Sequence, residues 1–130
     1  MADLPPPVLE VFYSPSCAPC RLELPVVAQI ADGQGVQVRI VILDQEERAR
    51  QELREVSPAL ETAAATRIAA SPNELLREAG DDKGILPYAR SLAASGEVCA
   101  RWSGGLTLSR ARSLLAACAQ RVISPLRSRS

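Results

Sequence analysis

A chain of 130 residues, 47% hydrophobic and 23% charged, has the length for one domain around one core, and its composition excludes collagen, coiled coil and disorder. Lys+Arg and Asp+Glu both number 15, so the charge footprint of a dedicated nucleic-acid binder is missing. Histidine is absent, which excludes Ser-His and Cys-His nucleophile pairs, His-ligated zinc or haem and a His proton shuttle, and leaves thiols and carboxylates to carry chemistry.

Residues 1–7 form a proline-rich arm whose Pro5 to Pro7 run is stiff and extended, suited to the end of a tether. The start lacks the basic and apolar regions of a signal peptide, and no run of about 18 apolar residues spans a bilayer. The expectation is a soluble monomer, cytoplasmic if the chain is full and periplasmic if a signal or anchor has been trimmed. Residues 8–13, apolar and β-rich around Glu10, predict a buried strand that stops at Ser14-Pro15. A helix is expected from about Ala18, with Leu22, Val26, Val27 and Ile30 on its inner face, Pro19 tolerated in the first turn, Pro25 kinking it and Gly33 ending it. Residues 36–43 predict a second strand, covered on both faces. Strand, helix, strand makes a parallel crossover and places the loop after Tyr13 at the carboxyl end of the sheet, where α/β proteins keep their sites.

Asp44 and Glu47 form a capping-box pattern before a helix that Ser57-Pro58 divides. Further helix is expected over residues 59–70. Ser71 and Glu74 form a second capping box, opening a short helix that stops at Gly80, and residues 81–84 read as a turn. Strands at 88–92 and 97–102 predict an antiparallel hairpin around Ser95-Gly96. Thr107 caps the last helix, whose buried stripe is Leu108, Ala111, Leu115, Cys118 and Val122. Pro125 and a basic tail, residues 124–130, lie beyond it. Its arginines read as a solvated face and a frayed end rather than an anionic-partner patch.

The chemistry concentrates in Ser16-Cys17-Ala18-Pro19-Cys20. Two cysteines three apart on one helical turn lie about 5–6 Å apart at Cα, which suits a disulfide. Cys17, at the helix N-terminus, has its thiolate stabilised by backbone N–H groups and the helix dipole and is the attacking sulfur; Cys20, one turn in, is shielded and resolves the mixed disulfide. Zinc requires further ligands, and a second C-x-x-C and histidine are both missing. Cys99 and Cys118, 19 apart, read as small buried hydrophobes, with a second or regulatory disulfide between them left open.

These residues resemble the thioredoxin superfamily over nearly the whole chain. The strand 8–13 leads into Cys17-Ala18-Pro19-Cys20. Pro25 lies five after Cys20, where thioredoxins carry a helix-kinking proline. Ile85-Leu86-Pro87 looks like the cis-proline loop, and Gly96 to Gly104 is similar to the last hairpin strand and its glycine. Cys17-Ala-Pro-Cys20-Arg-Leu-Glu23-Leu-Pro25 looks most like bacterial TlpA/ResA-type thiol-disulfide oxidoreductases, usually tethered in the periplasm. The resemblance implies an α/β fold with a central mixed sheet flanked by helices, spanning 8–123, and a helical insertion at about 56–80, since Asp44 and Pro87 are 43 apart. It also implies reduction of protein disulfides without a cofactor, an upstream thiol electron donor, a cis Pro87, and Leu86 and Pro87 pairing with substrate backbone.

Ser16 stands where thioredoxins usually have Trp, and Val11 where they have a buried Asp. Glu10 is then a candidate proton acceptor, although strand alternation turns it to the other face; otherwise it is a strand-end charge or an arginine's partner. Arg21 either tunes the thiols or is solvated. Glu23 is assigned to helix solvation, and Trp102 to packing the sheet on the last helix. Two alternatives remain. An arsenate-reductase-like or Spx-like member also inserts helices before the proline strand and would use arginines such as Arg21 and Arg101 for an oxyanion. A redox-inert binding module would keep the fold and hold its cysteines in a disulfide or on zinc.

Overall fold

The computed structural model describes residues 6–33, 35–66 and 71–128. In chain order the elements are β1 Val8–Tyr13, α1 Ala18–Ala31, β2 Gln37–Ile42, α2 Glu46–Val56, α3 Pro58–Thr62, β3 Ala64–Thr66, α4 Pro72–Glu78, β4 Tyr88–Leu92, β5 Val98–Ser103 and α5 Leu108–Ser128. The strands form one mixed sheet in the order β3-β2-β1-β4-β5. β1 runs parallel to β2, and β2 to β3; β4 is antiparallel to both β1 and β5.

Strand alternation divides the core. Leu9, Val11 and Tyr13 on one face of β1 pack with Leu24 and Val27 of α1, Leu53 of α2, Leu60 of α3 and Ala111 and Leu114 of α5. On the other face, Phe12 packs with Val41, Tyr88 and Leu76 of α4. All six β1 residues are buried, as expected of a strand covered on both sides. Each large aliphatic so enclosed contributes about 1.5–3 kcal/mol relative to exposure, and these layers hold the β1–α1 loop rigidly.

Several boundaries differ from expectation. In α1 the inner face is Cys20, Glu23, Leu24, Val27, Ala28 and Ile30, whereas Leu22 is 81% exposed. The expected stripe followed the apolar letters and missed the face that Cys20 itself defines. Asp44 does not cap α2: the N-cap is Gln45, left-handed at φ 48°, with no side-chain cap bond. The stretch 59–70 is not continuous helix. Its residues 64–66 instead pair with β2 as an edge strand, and 67–70 lie outside the described residues. Residues 56–80, expected as a helical insertion, are therefore helical only in part. Ser71 caps α4 as expected, accepting from the Glu74 N–H at 3.3 Å. Leu114 replaces Leu115 on the buried stripe of α5, and Leu115 is half-buried. Val122's side chain is outside the described residues. The helix continues past Pro125 to Ser128, so the tail expected at 124–130 is helical as far as it is described; a proline removes one backbone bond without forbidding the next turn.

Candidate active site

The site is built where β1 ends and α1 begins. The Cys17 N–H donates to the Ser14 carbonyl at 3.0 Å, closing a tight turn around buried Pro15. Cys17 is the N-cap of α1, with φ −98° and ψ 99°, and its Sγ accepts from the Cys20 N–H at 3.2 Å. A sulfur at this position faces unsatisfied N–H groups and the positive end of the helix, an arrangement that favours a thiolate once the pair is reduced. Pro19 sits in the first turn, where its missing N–H is not needed. Pro25 lies inside α1.

Cys17 and Cys20 are joined by a disulfide, with their Cα atoms 5.2 Å apart. Cys20 is fully buried and Cys17 is partly exposed, so an incoming partner reaches only the first sulfur. Facing it is the loop before β4, where the Leu86–Pro87 peptide is cis. Buried Asp81 organises that loop: its carboxylate accepts the Ile85 N–H at 3.0 Å and its carbonyl the Gly84 N–H at 2.9 Å. The sequence marked residues 81–84 only as a turn. Cys17, Leu86, Leu43, Leu76 and Asp44 line an open cavity of about 260 Å³ between this loop, α4 and the end of β2.

Glu23 was assigned to helix solvation, and the structure overturns that: it is 5% exposed, one turn beyond Cys20 on the same inner face. Its carboxylate accepts the Leu106 N–H at 2.8 Å. Burial pushes its pKa up to about 7, against the Leu106 hydrogen bond, which favours the ionised form. The spacing Cys20, Glu23, Val27, Ile30 carried the signal, because its steps of three and four trace one helical stripe. The turn that supplies Leu106 also reaches the opposite wall, where the Gly104 N–H donates to the Pro87 carbonyl at 3.0 Å.

Glu10, considered as a proton acceptor, has the arginine partners that were its other reading. It is buried on the α4 face, and Arg39 and Arg90 grip its two oxygens at 2.8 and 2.6 Å. Val11 lies with Cys20 in the other core layer. Arg21 folds back to donate to the Pro15 carbonyl, steadying the turn before Cys17. Arg101 packs against Gly80, so it does not join Arg21 in an oxyanion cluster. Trp102 is half-buried against the core; its indole N–H donates to the Gly105 carbonyl at 3.0 Å and its ring lies under Arg110. Cys99 and Cys118 are not free hydrophobes but a second disulfide joining β5 to α5. Among the described residues there is no cluster of three or more His, Cys, Asp or Glu arranged for a metal ion, and no helix long and apolar enough to cross a membrane.

No protein-family model matches the chain, and no curated protein matches its sequence. Solved structures do. A thioredoxin-related protein from Neisseria meningitidis serogroup B superposes with a TM-score of 0.72 at 18% identity, covering 88% of this chain and 86% of that one. A thioredoxin-family thiol:disulfide interchange protein from Chlorobium tepidum TLS gives 0.62 at 19% identity, covering 87% and 79%. The exposed lipoprotein thioredoxin of Streptococcus pneumoniae strain TIGR4 gives 0.64 at 17%, covering 86% and 84%. With its five-stranded mixed sheet, its flanking helices and a cysteine pair opening α1, the chain has the thioredoxin-like fold.

Proposed function

We propose that the protein is a thiol-disulfide oxidoreductase of the TlpA/ResA type, reducing disulfides in protein substrates. The observation that carries this reading is the Cys17–Cys20 pair at the start of α1, with one sulfur partly exposed beside an open cavity and the other buried. In the reduced protein the Cys17 thiolate attacks a substrate sulfur, forming a mixed disulfide and releasing the substrate's other sulfur as a thiolate. Cys20, as thiolate, then attacks Cys17 Sγ and releases the second substrate thiolate. Two electrons pass to the substrate, and the Cys17–Cys20 disulfide remains for an upstream thiol donor to reduce. No cofactor is required.

Cys20 must lose its proton in a buried place. Among the described carboxyls, Glu23 is the one raised into the neutral range, and helix geometry sets it beside Cys20. It takes the role first considered for Glu10. Leu86 lines the cavity, Pro87 follows it across the cis bond, and both are assigned to pairing with substrate backbone. The second disulfide supports an oxidising, extracytoplasmic compartment.

A redox titration in glutathione buffers, with alkylation and mass spectrometry identifying the paired cysteines, tests the reading. A Cys17–Cys20 potential near about −270 mV is expected for a reductase, whereas one near about −120 mV would reverse the direction. A pair that fails to exchange, or that binds zinc stoichiometrically, overturns catalysis in favour of a binding module.

A further inference from the structure

The cavity beside Cys17 carries one carboxylate that the exchange chemistry does not use. Asp44 follows β2 and is half-buried in the cavity wall. One carboxylate oxygen accepts the Ser14 hydroxyl at 2.7 Å. Among the described residues the other takes no hydrogen bond or ion pair. Leu43, Leu76 and Leu86 give the wall its aliphatic part, and Ser14, Ser16 and Asn73 are its uncharged polar groups. At about 260 Å³ the space is below the roughly 300–1,000 Å³ of small-molecule sites, and is of a size for one side chain of a larger substrate.

We propose that Asp44 is a specificity determinant, selecting protein substrates that carry Arg or Lys next to the reacting cysteine. This rests on the exchange reading above. Aliphatic side chains beside a single carboxylate, with uncharged polar groups around them, match a side chain with an aliphatic stem and a cationic head. A neutral apolar residue would fill the space but leave the carboxylate unpaired. An acidic residue would meet both Asp44 and, during exchange, the Cys17 thiolate, all negative. Arg77, the cation packed on the cavity-lining Gly84, makes no ion pair with Asp44, so the carboxylate is not already satisfied from that side. The Ser14 hydroxyl and the Ser14 carbonyl, which holds the Cys17 N–H, tie Asp44 to the reacting turn through one residue. A cation seated there is thereby placed relative to Cys17.

The test uses three synthetic peptides of one length, each with a single cysteine in mixed disulfide with thionitrobenzoate and with Arg, Ala or Glu beside it. Chromophore release by the pre-reduced full chain is measured and divided by each peptide's rate with dithiothreitol, which removes intrinsic reactivity. The expected order is Arg over Ala by about ten-fold, with Glu slower still, as one charge-assisted hydrogen bond allows. Asp44→Asn keeps an acceptor for Ser14 and should bring the three rates together. High salt on the unaltered protein provides a second readout that leaves the turn as it is, and should compress the same ratios. Equal normalised rates for all three peptides overturn the selectivity while leaving exchange standing. A preference that survives Asp44→Asn overturns the role of Asp44. Release from none of the peptides by a protein verified as reduced overturns the exchange reading and the selectivity with it.

Discussion

Cys17–Cys20 and Cys99–Cys118 have nearly the same Cα separation, 5.2 and 5.1 Å, yet their surroundings assign them different work. The first lies within one helical turn, with a partly exposed sulfur at a helix N-terminus, a cavity in front and a buried carboxyl with a pKa near 7 behind. The second has its sulfurs on different elements, one of them deep in the middle of α5, and closes a 19-residue separation. A short local bridge restrains the unfolded chain little and can open without disturbing the fold. A longer one restrains it more, and opening it releases a helix from the sheet. Reactivity thus follows from the helix end and access, and stabilisation from the length of chain enclosed.

The sharpest way to break this contrast is to disable each pair in turn. Cys17→Ser should abolish disulfide-reductase turnover with the far-ultraviolet spectrum unchanged, whereas the Cys99→Ser/Cys118→Ser double variant should retain turnover. Loss of turnover in the double variant with the fold intact would make the second pair part of the catalytic machinery. In urea titrations the same double variant should lose about 3 kcal/mol, the chain-entropy value for a loop of this length, and the loss should not depend on pH. The third expected effect is smaller and confined by pH. The folded pKa of Glu23 lies above its ordinary value of 4.5, so the folded state holds the proton more tightly, and stability attached to it is lost as pH rises from about 4.5 to about 7. Glu23→Gln should therefore gain stability over the unaltered protein across that window, by at most about 3 kcal/mol above pH 7, and by little below pH 4.5. A gain that is flat with pH would show that folding leaves the proton affinity of Glu23 unshifted.

Much of this was legible in the sequence. The strand that stops at Ser14-Pro15, the cysteine pair on a helix start, the Ser71 cap and the β4–β5 hairpin all follow from local signals, and the structure has them. What was not legible depended on partners distant in the chain. Asp44 looked like a cap because Glu47 follows at the right spacing, but Ser14, thirty residues earlier, takes its carboxylate. Ala64–Thr66 carries no strand signal of its own and becomes a strand only because β2 offers it a parallel edge. Glu10 has the arginine partners that were one of its readings, whereas Glu23 is not the solvated helix residue expected. Two arginines on neighbouring strands neutralise Glu10, whereas burial against the β5–α5 turn, with a single backbone donor, leaves Glu23 titratable. The pairing of Cys99 with Cys118 likewise needed the packing of α5 on β5.

The turn between β5 and α5 donates from Gly104 to the Pro87 carbonyl and from Leu106 to the Glu23 carboxylate, two residues apart. Linkage makes such a shared segment reciprocal: a docked chain that shifts the turn through Pro87 changes the proton affinity of Glu23, and ionisation of Glu23 changes the affinity for the docked chain by the same free energy.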